Sequence, residues 1–135
     1  MPRHATGAMV LTLAATSIIW AQPVAGADAP TVVRKVLMQQ DIQIPNTTEA
    51  LISVTIPVGG REGKHTHPGA LIVYVQSGAI SLDYEGKPNI TYKAGDTFFV
   101  EAGKVHEGIN RGTVPAVALA MFVGPKGQPI TKQVE

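Results

Sequence analysis

The chain has 135 residues, enough for one compact domain, and it carries 11 basic and 10 acidic residues. A net charge this close to zero argues against nucleic acid or a membrane surface as the partner of the folded domain. The absence of cysteine excludes disulfides, cysteine nucleophiles and thiolate metal ligands.

Residues 1–27 have the features of a secretory signal peptide. A weakly basic start precedes an apolar segment, residues 8–20, that is too short to span a bilayer, and small residues precede Asp28. We expect cleavage after Ala27, which places the mature domain, residues 28–135, in the periplasm or outside the cell. An uncleaved membrane anchor is the alternative interpretation of the apolar segment.

The sequence of the mature domain predicts a succession of short strands. Its apolar segments are rich in β-branched and aromatic residues, are separated by Gly and Pro, and keep no helical period. Such spacing indicates an all-β sandwich or barrel. The predicted strands are Val32–Met38, Ala50–Ile56, Leu71–Gln76, Ala79–Tyr84, Asn89–Tyr92, Thr97–Val100, His106–Asn110 and Val114–Phe122. The tail, Gly124 to Glu135, is expected to be an edge segment or an arm.

Glycines mark two of the predicted corners. Ser77 and Gly78 separate two predicted strands, so we expect a two-residue hairpin turn with a positive φ at Gly78. Gly95, which precedes Asp96, is expected to turn a similar corner. Both glycines have a structural explanation and need no functional one.

The histidines carry the clearest functional signal in the chain. Apart from His4, they fall in two short segments, with His65 and His67 in the first and His106 in the second. Imidazole is the commonest protein ligand for metals. Side chains repeat every two residues along a strand, so a His-x-His pair points both rings to one face. A third histidine from a distant strand can complete the set, and we predict one metal site built by these three residues.

With these segments placed on strands of a small barrel, the chain resembles the cupin superfamily. The first cupin motif, G-x5-H-x-H-x3,4-E-x6-G, is matched by the segment from Gly59 to Gly78 through its two histidines. The second motif, G-x5-P-x-G-x2-H-x3-N, is matched by Gly95, Gly103, His106 and Asn110. The resemblance implies that residues 28–135 form a single small cupin-type β-barrel, also called a double-stranded β-helix or jelly roll.

The sequence departs from the cupin pattern at two positions. Glu101 stands where the family usually has Pro, which changes a turn. Leu71 stands in place of the family's glutamate ligand, and a leucine cannot bind a metal. The usual set of three histidines and one glutamate is therefore reduced to three histidines, and Leu71 is expected to pack the barrel interior.

Whether another carboxylate replaces the missing ligand stays open. Glu107 follows His106 directly, so on a strand it should point to the opposite face. Glu62 lies in the loop before His65 and could reach inward only by an unusual path. Glu101 is expected at the lip of the barrel. Surface charge is the ordinary role of glutamate, and it is the interpretation we favour for all three.

The resemblance implies two classes of function. Family members with three histidines and no glutamate include iron-dependent thiol and β-diketone dioxygenases, which implies an Fe(II) dioxygenase acting on a small chelating substrate. Val73, Phe98 and Val100 would face inward by strand parity and shape an apolar pocket beside the metal. The alternative is a non-catalytic periplasmic protein that binds a metal or a small ligand, since the motifs supply no evident general base, and Asn110 and Glu62 offer at most polar contacts.

The identity of the metal and the oligomeric state also stay open. Fe(II) is favoured by the resemblance, while Zn, Mn, Ni and Cu are alternatives, because raw affinity would favour zinc or copper. The expected partner is a small-molecule ligand or substrate. A homodimer is a further alternative, for which the strand Val32–Met38 offers a sheet edge.

Overall fold

The structure, a computed structural model, describes residues 30–135, and these form an all-β fold as predicted. The predicted signal peptide, residues 1–27 with cleavage between Ala27 and Asp28, lies outside the described residues. Among the described residues, no helix is long and apolar enough to cross a membrane.

The strand predictions are largely correct, although most of the bounds shift by one to three residues. The strands are β1 (Val33–Asp41), β2 (Thr47–Ile56), β3 (His65–Thr66), β4 (Ala70–Ser77), β5 (Ala79–Tyr84), β6 (Ile90–Lys93), β7 (Thr97–Val100), β8 (His106–Ile109), β9 (Ala116–Pro125) and β10 (Lys132–Gln133). Strands β5 and β7 have the predicted bounds. Strands β3 and β10 were missed because each has only two residues, too few to establish an alternating pattern.

The strands form two antiparallel sheets with the core between them. The first sheet has the order β1-β2-β9-β4-β7, and the second has the order β10-β3-β8-β5-β6. Side chains from both sheets, among them Val75, Phe122 and Leu82, belong to one buried apolar cluster. This arrangement places β3 and β8, which carry the histidines, in the same sheet.

Alternation of side chains explains which residues fill the core. In β4, Leu71, Val73 and Val75 are buried, whereas Ile72 and Tyr74 between them are exposed. This pattern has the two-residue period of a strand with one face against the core. Each such buried aliphatic side chain stabilises the fold by about 1.5–3 kcal/mol.

Gly78 has the predicted positive φ, 70°, but the hairpin predicted around it is wrong. Strand β4 pairs with β7 and β9, whereas β5 pairs with β6 and β8, so Gly78 carries the chain from one sheet to the other. A Cβ atom at this position would lie 2.6 Å from the carbonyl oxygen of Pro115, so the corner also lacks room for a side chain. Gly95 turns the chain between β6 and β7 with a φ of 94°.

Both ends of the described segment, residues 30–135, lie at sheet edges. Strand β1 is an outer strand of the first sheet, and all of its residues are exposed. The tail forms β10, the outer strand of the second sheet, where Lys132 pairs with Thr66 and Gln133 pairs with His65. The prediction that the tail is an edge segment is therefore confirmed, and the tail lies directly against the strand that carries the first histidine.

Candidate metal centre

The structure brings the three predicted site residues together inside the barrel. His65 begins β3 and lies directly opposite His106, the first residue of β8. His67 is the first residue after the end of β3. The centroids of the three rings are 4.3 to 4.9 Å apart, and one nitrogen of each ring lies within 4.8 Å of the others. All three side chains are buried. The cluster is therefore compatible with a single divalent metal ion.

Backbone carbonyl groups determine which nitrogen of each ring carries the proton. Nδ1 of His65 lies 2.7 Å from the carbonyl oxygen of Gly63, Nδ1 of His67 lies 2.7 Å from that of Ile130, and Nδ1 of His106 lies 3.0 Å from that of Lys104. A carbonyl oxygen only accepts hydrogen bonds, so each Nδ1 must donate. In the neutral rings the lone pairs of Nε2 are then free to bind a metal, as in known metal sites.

Burial keeps the three rings neutral. Loss of hydration lowers the pKa of His65 and of His67 to about 4, and it also lowers the pKa of His106. The neighbouring rings contribute in the same direction at His65 and His67, because two imidazolium ions side by side would repel each other. At neutral pH the cluster therefore offers three uncharged nitrogen ligands without first having to lose protons.

The tail contributes to the site in a way that the sequence did not reveal. The carbonyl group of Ile130 fixes the ring of His67, and Thr131 lines the same cavity as the histidines. The sequence signal was weak, since Ile130 is one apolar residue within a polar tail. Sequence reasoning therefore predicted the three clustered histidines but missed the backbone segment that orients one of them.

Tyr84 is a second contributor that was missed. Its buried ring is inclined by 29° to that of His106, with the centroids 6.1 Å apart, and its hydroxyl oxygen accepts a hydrogen bond from the backbone N–H of Glu101. Strand parity alone could have found it, because Tyr84 follows the inward positions Ile80 and Leu82 at two-residue spacing. Tyr84 therefore lies beside His106 as its partner across strands β5 and β8.

An apolar cavity of about 50 Å³ adjoins the three histidines. Leu71, Val73, Phe98 and Val100 line it, as strand parity predicted. Leu71 is 4 % exposed and packs in the core, so an aliphatic side chain occupies the place of the family's glutamate. The cavity has room for a few water molecules or one small ligand.

The placement of Glu62 differs from the prediction. Its side chain is only 12 % exposed, and it lines the cavity together with Arg34, whose Nη2 donates a hydrogen bond of 3.0 Å to Glu62 Oε1. The expectation that Glu62 would stay at the surface is therefore wrong. Its carboxylate nevertheless does not belong to the compact group of histidine nitrogens. The backbone N–H of Glu62 donates to the carbonyl of Gly108, and the backbone N–H of Gly108 donates to Glu62 Oε2, so both parts of Glu62 are held against β8.

The other two carboxylates considered as ligands lie away from the histidine nitrogens. Glu107 accepts two hydrogen bonds from the guanidinium of Arg61, at 2.9 and 2.7 Å, and these bonds lower the pKa of the Glu107 carboxyl. It is buried, so its expected place at the surface is wrong, although it lies outside the cavity. Glu101 is exposed, as expected, and its Oε1 lies 3.5 Å from Nζ of Lys87.

Asn110 has a structural role. Its amide nitrogen donates to the carbonyl oxygens of Ile56 and Val114, and its amide oxygen accepts from the backbone N–H of Gly112. The side chain is buried and does not line the cavity. The suggestion that Asn110 makes a polar contact at the site is therefore wrong, and its hydrogen bonds instead hold the turn after β8.

Comparison with protein families identifies the class of protein. The family described as "Cupin domain" matches residues 52–122, just over half of the chain, and this segment includes all three histidines. The chain therefore belongs to the cupin family. Comparison of the sequence with curated proteins finds no significant match.

Solved structures agree on the fold. A protein with a double-stranded β-helix domain from Klebsiella pneumoniae is similar over 84 % of this chain and 90 % of its own, with a TM-score of 0.63 and 23 % identity. The DMSP lyase DddQ from Ruegeria pomeroyi matches 64 % of this chain with a TM-score of 0.58 and 24 % identity, and an oxalate oxidase matches 64 % with 0.57 and 23 %. The chain spans 43 % of that lyase and 46 % of that oxidase. These similarities establish the double-stranded β-helix fold.

Proposed function

We propose that this protein is an exported mononuclear metal-binding cupin in which His65, His67 and His106 hold one divalent metal ion. The observation that carries the proposal is the set of three hydrogen bonds from Nδ1 to backbone carbonyls. These bonds leave Nε2 of each neutral ring unprotonated, and one nitrogen of each ring lies within 4.8 Å of the others, which supports a shared metal site.

Metal titration of single-residue variants tests this proposal. Replacing any one histidine by Ala removes one of three ligands and should sharply weaken binding of Zn²⁺ or Fe²⁺ measured by calorimetry, with a larger loss in double variants. His4→Ala in the precursor is the matched control and should leave binding by the mature protein unchanged. Wild-type affinity in His106→Ala would refute the three-histidine site.

We further propose that the bound metal is Fe(II), with Zn, Mn, Ni or Cu as alternatives, and that the protein is a dioxygenase acting on a small chelating substrate. Three neutral ligands leave the full charge of the metal uncompensated and leave coordination positions for a bidentate substrate and dioxygen. The apolar wall formed by Leu71, Val73, Phe98 and Val100 supports the proposal, because it gives that space few polar groups that could hold water.

The alternative is a non-catalytic protein that binds a metal or a small ligand in the periplasm. The small volume of the cavity, about 50 Å³, favours this alternative because it restricts the substrates that can enter. Metal analysis of protein purified from its own compartment comes first. Oxygen consumption by the iron-loaded protein on a panel of diketones, catechols, flavonols and thiols then separates the two functions.

We also propose that the protein forms a homodimer through strand β1. This strand is one of the two outer strands of its sheet, and it exposes the apolar side chains of Val33, Val36 and Met38. An open edge with exposed apolar side chains favours pairing with a second copy. Sedimentation velocity tests the proposal, and replacing Val36 by Lys should shift a dimer toward monomer. A wild-type protein that sediments as a monomer would refute it.

A further inference from the structure

Glu62 is a carboxylate inside the barrel to which the three-histidine site assigns no role. It lies in the loop before β3, it is largely buried, and it lines the same cavity as the histidines. A charged group in an apolar cavity is costly unless the structure holds it in place. The contacts around the Glu62 carboxylate therefore indicate whether the fold holds it in this position.

Gly108 supplies the space for this carboxylate. Positions 106 and 108 of β8 point to the same face, because side chains on a strand repeat every two residues. A Cβ atom at position 108 would lie 2.5 Å from Glu62 Oε2 and 3.3 Å from Glu62 Cδ. The carboxylate thus occupies the space that a side chain at position 108 would fill, one inward position along the strand from His106.

Two hydrogen bonds hold the carboxylate in this space. Oε1 accepts from Arg34 Nη2 at 3.0 Å, and Oε2 accepts from the backbone N–H of Gly108 at 3.1 Å. Each oxygen of an ionised carboxylate has two lone pairs, so each keeps one acceptor position after these bonds. Glu62 is therefore oriented beside the histidines while it still has the capacity to accept a proton.

A chelating ligand that carries an O–H group must lose its proton to bind a metal as an anion. The histidines cannot take this proton, because each Nδ1 already carries one and each Nε2 faces the metal position. Of the residues that the structure shows lining the cavity, Glu62 is the one carboxylate. We propose that Glu62 accepts the proton of a protic chelating ligand as that ligand binds at the three-histidine site.

The step is a proton transfer without oxidation or reduction. The O–H bond of the ligand breaks, its electron pair stays on the ligand oxygen, and the proton forms an O–H bond with the carboxylate of Glu62. A neutral ligand and a carboxylate become an anionic ligand and a carboxylic acid, so charge is conserved. The inference rests on the proposed metal site, and it assigns to that site a ligand class, namely neutral chelators with an acidic O–H group.

Binding of two small probes to the Co²⁺-loaded protein tests the inference. Acetohydroxamic acid is a neutral chelator that must lose a proton, whereas azide is already an anion. E62Q keeps the shape of the side chain but cannot take the proton, which must then pass to the buffer. Calorimetry in two buffers of different ionisation enthalpy should therefore show about one proton released when acetohydroxamic acid binds to E62Q and none when it binds to wild type. The affinity of E62Q for azide should stay the same or rise, because a negative charge has been removed from the cavity.

G108A provides a second, independent variant. The added methyl group displaces the carboxylate without removing it, and the expected result is again the release of a proton to the buffer when acetohydroxamic acid binds. E101Q, at an exposed carboxylate, is the matched control and should bind both probes as wild type does. Circular dichroism checks the fold of each variant, and G108A carries the test if E62Q does not fold.

The outcomes separate this inference from the metal site itself. A wild-type protein that does not bind Co²⁺ refutes the proposed function before any probe is added. Normal Co²⁺ binding with the same proton release from wild type and E62Q overturns only the role of Glu62. Loss of Co²⁺ binding in a folded E62Q protein would make Glu62 a metal ligand and also overturn the inference.

Discussion

Lowering the pH from 7 to 5 should destabilise the metal-free protein through its three buried histidines. Burial lowers the pKa of His65 and of His67 from 6.5 to about 4, and that of His106 in the same direction. In the unfolded chain the rings regain their ordinary pKa, so below pH 6.5 the unfolded state binds more protons than the folded state. The contribution of the neutral buried histidines to the free energy of unfolding is therefore fully present above pH 6.5, and it is lost as the pH falls toward 4.

The expected loss is large for a domain of this size. For one ring whose pKa is 6.5 when unfolded and about 4 when folded, the fall from pH 7 to 5 costs about 2 kcal/mol. His65 and His67 together then cost about 4 kcal/mol, and His106 adds to this in the same direction. Typical domains have a free energy of unfolding of about 5–15 kcal/mol in total.

Urea unfolding in the presence of a chelator, followed by circular dichroism at pH 7, 6 and 5, measures this loss. The matched control is the triple variant with Asn at positions 65, 67 and 106, whose free energy of unfolding should change little over the same range. Residues 28–135 contain no other histidine, so no other imidazole can supply the effect. A wild-type loss below about 1 kcal/mol, or an equal loss in the triple variant, would refute the reasoning.

Three further predictions concern the site and the ends of the chain. Leu71→Glu should tighten binding of a divalent metal by adding a negatively charged oxygen ligand. It should also destabilise the metal-free protein, because an unpaired carboxylate in an apolar barrel is costly. Unchanged metal affinity with a disordered Glu side chain would show that position 71 does not face the metal. Deleting residues 129–135 removes the carbonyl that orients His67 and should weaken metal binding about 10- to 100-fold by calorimetry, as expected for the hydrogen-bond partner of a ligand. Lys132→Ala keeps that backbone and should bind as wild type does; equal affinity in the deletion variant would contradict the role of the tail. Mass spectrometry should show that the exported protein begins at Asp28. Its fluorescence should be tyrosine-like, because Trp20 leaves with the signal peptide. A full-length mass in the membrane fraction would instead mean that residues 8–20 are a membrane anchor.

The faces of the strands could be predicted from the sequence because they follow from local geometry. The two-residue period of a strand is a property of the backbone, so the inward positions of Leu71, Val73 and Val100 follow from the order of the residues alone. The histidine cluster was predictable for a related reason. His65 and His67 share a face by parity, and the spacing of the second motif supplied His106.

The partners of these residues were decided only by the tertiary structure. The carbonyl of Ile130 orients His67 because β10 pairs with β3, and every residue has a carbonyl group, so nothing in the sequence marks this one. Glu62 turns inward because Gly108, far along the chain, leaves space for it. At Gly78 the chain passes from the first sheet to the second, where a hairpin was expected, because the pairing of strands depends on which of their faces pack against each other in the core. The local sequence determines the direction in which a side chain points along its strand. The residues that the side chain contacts depend instead on distant segments of the chain, which come together only when the core forms.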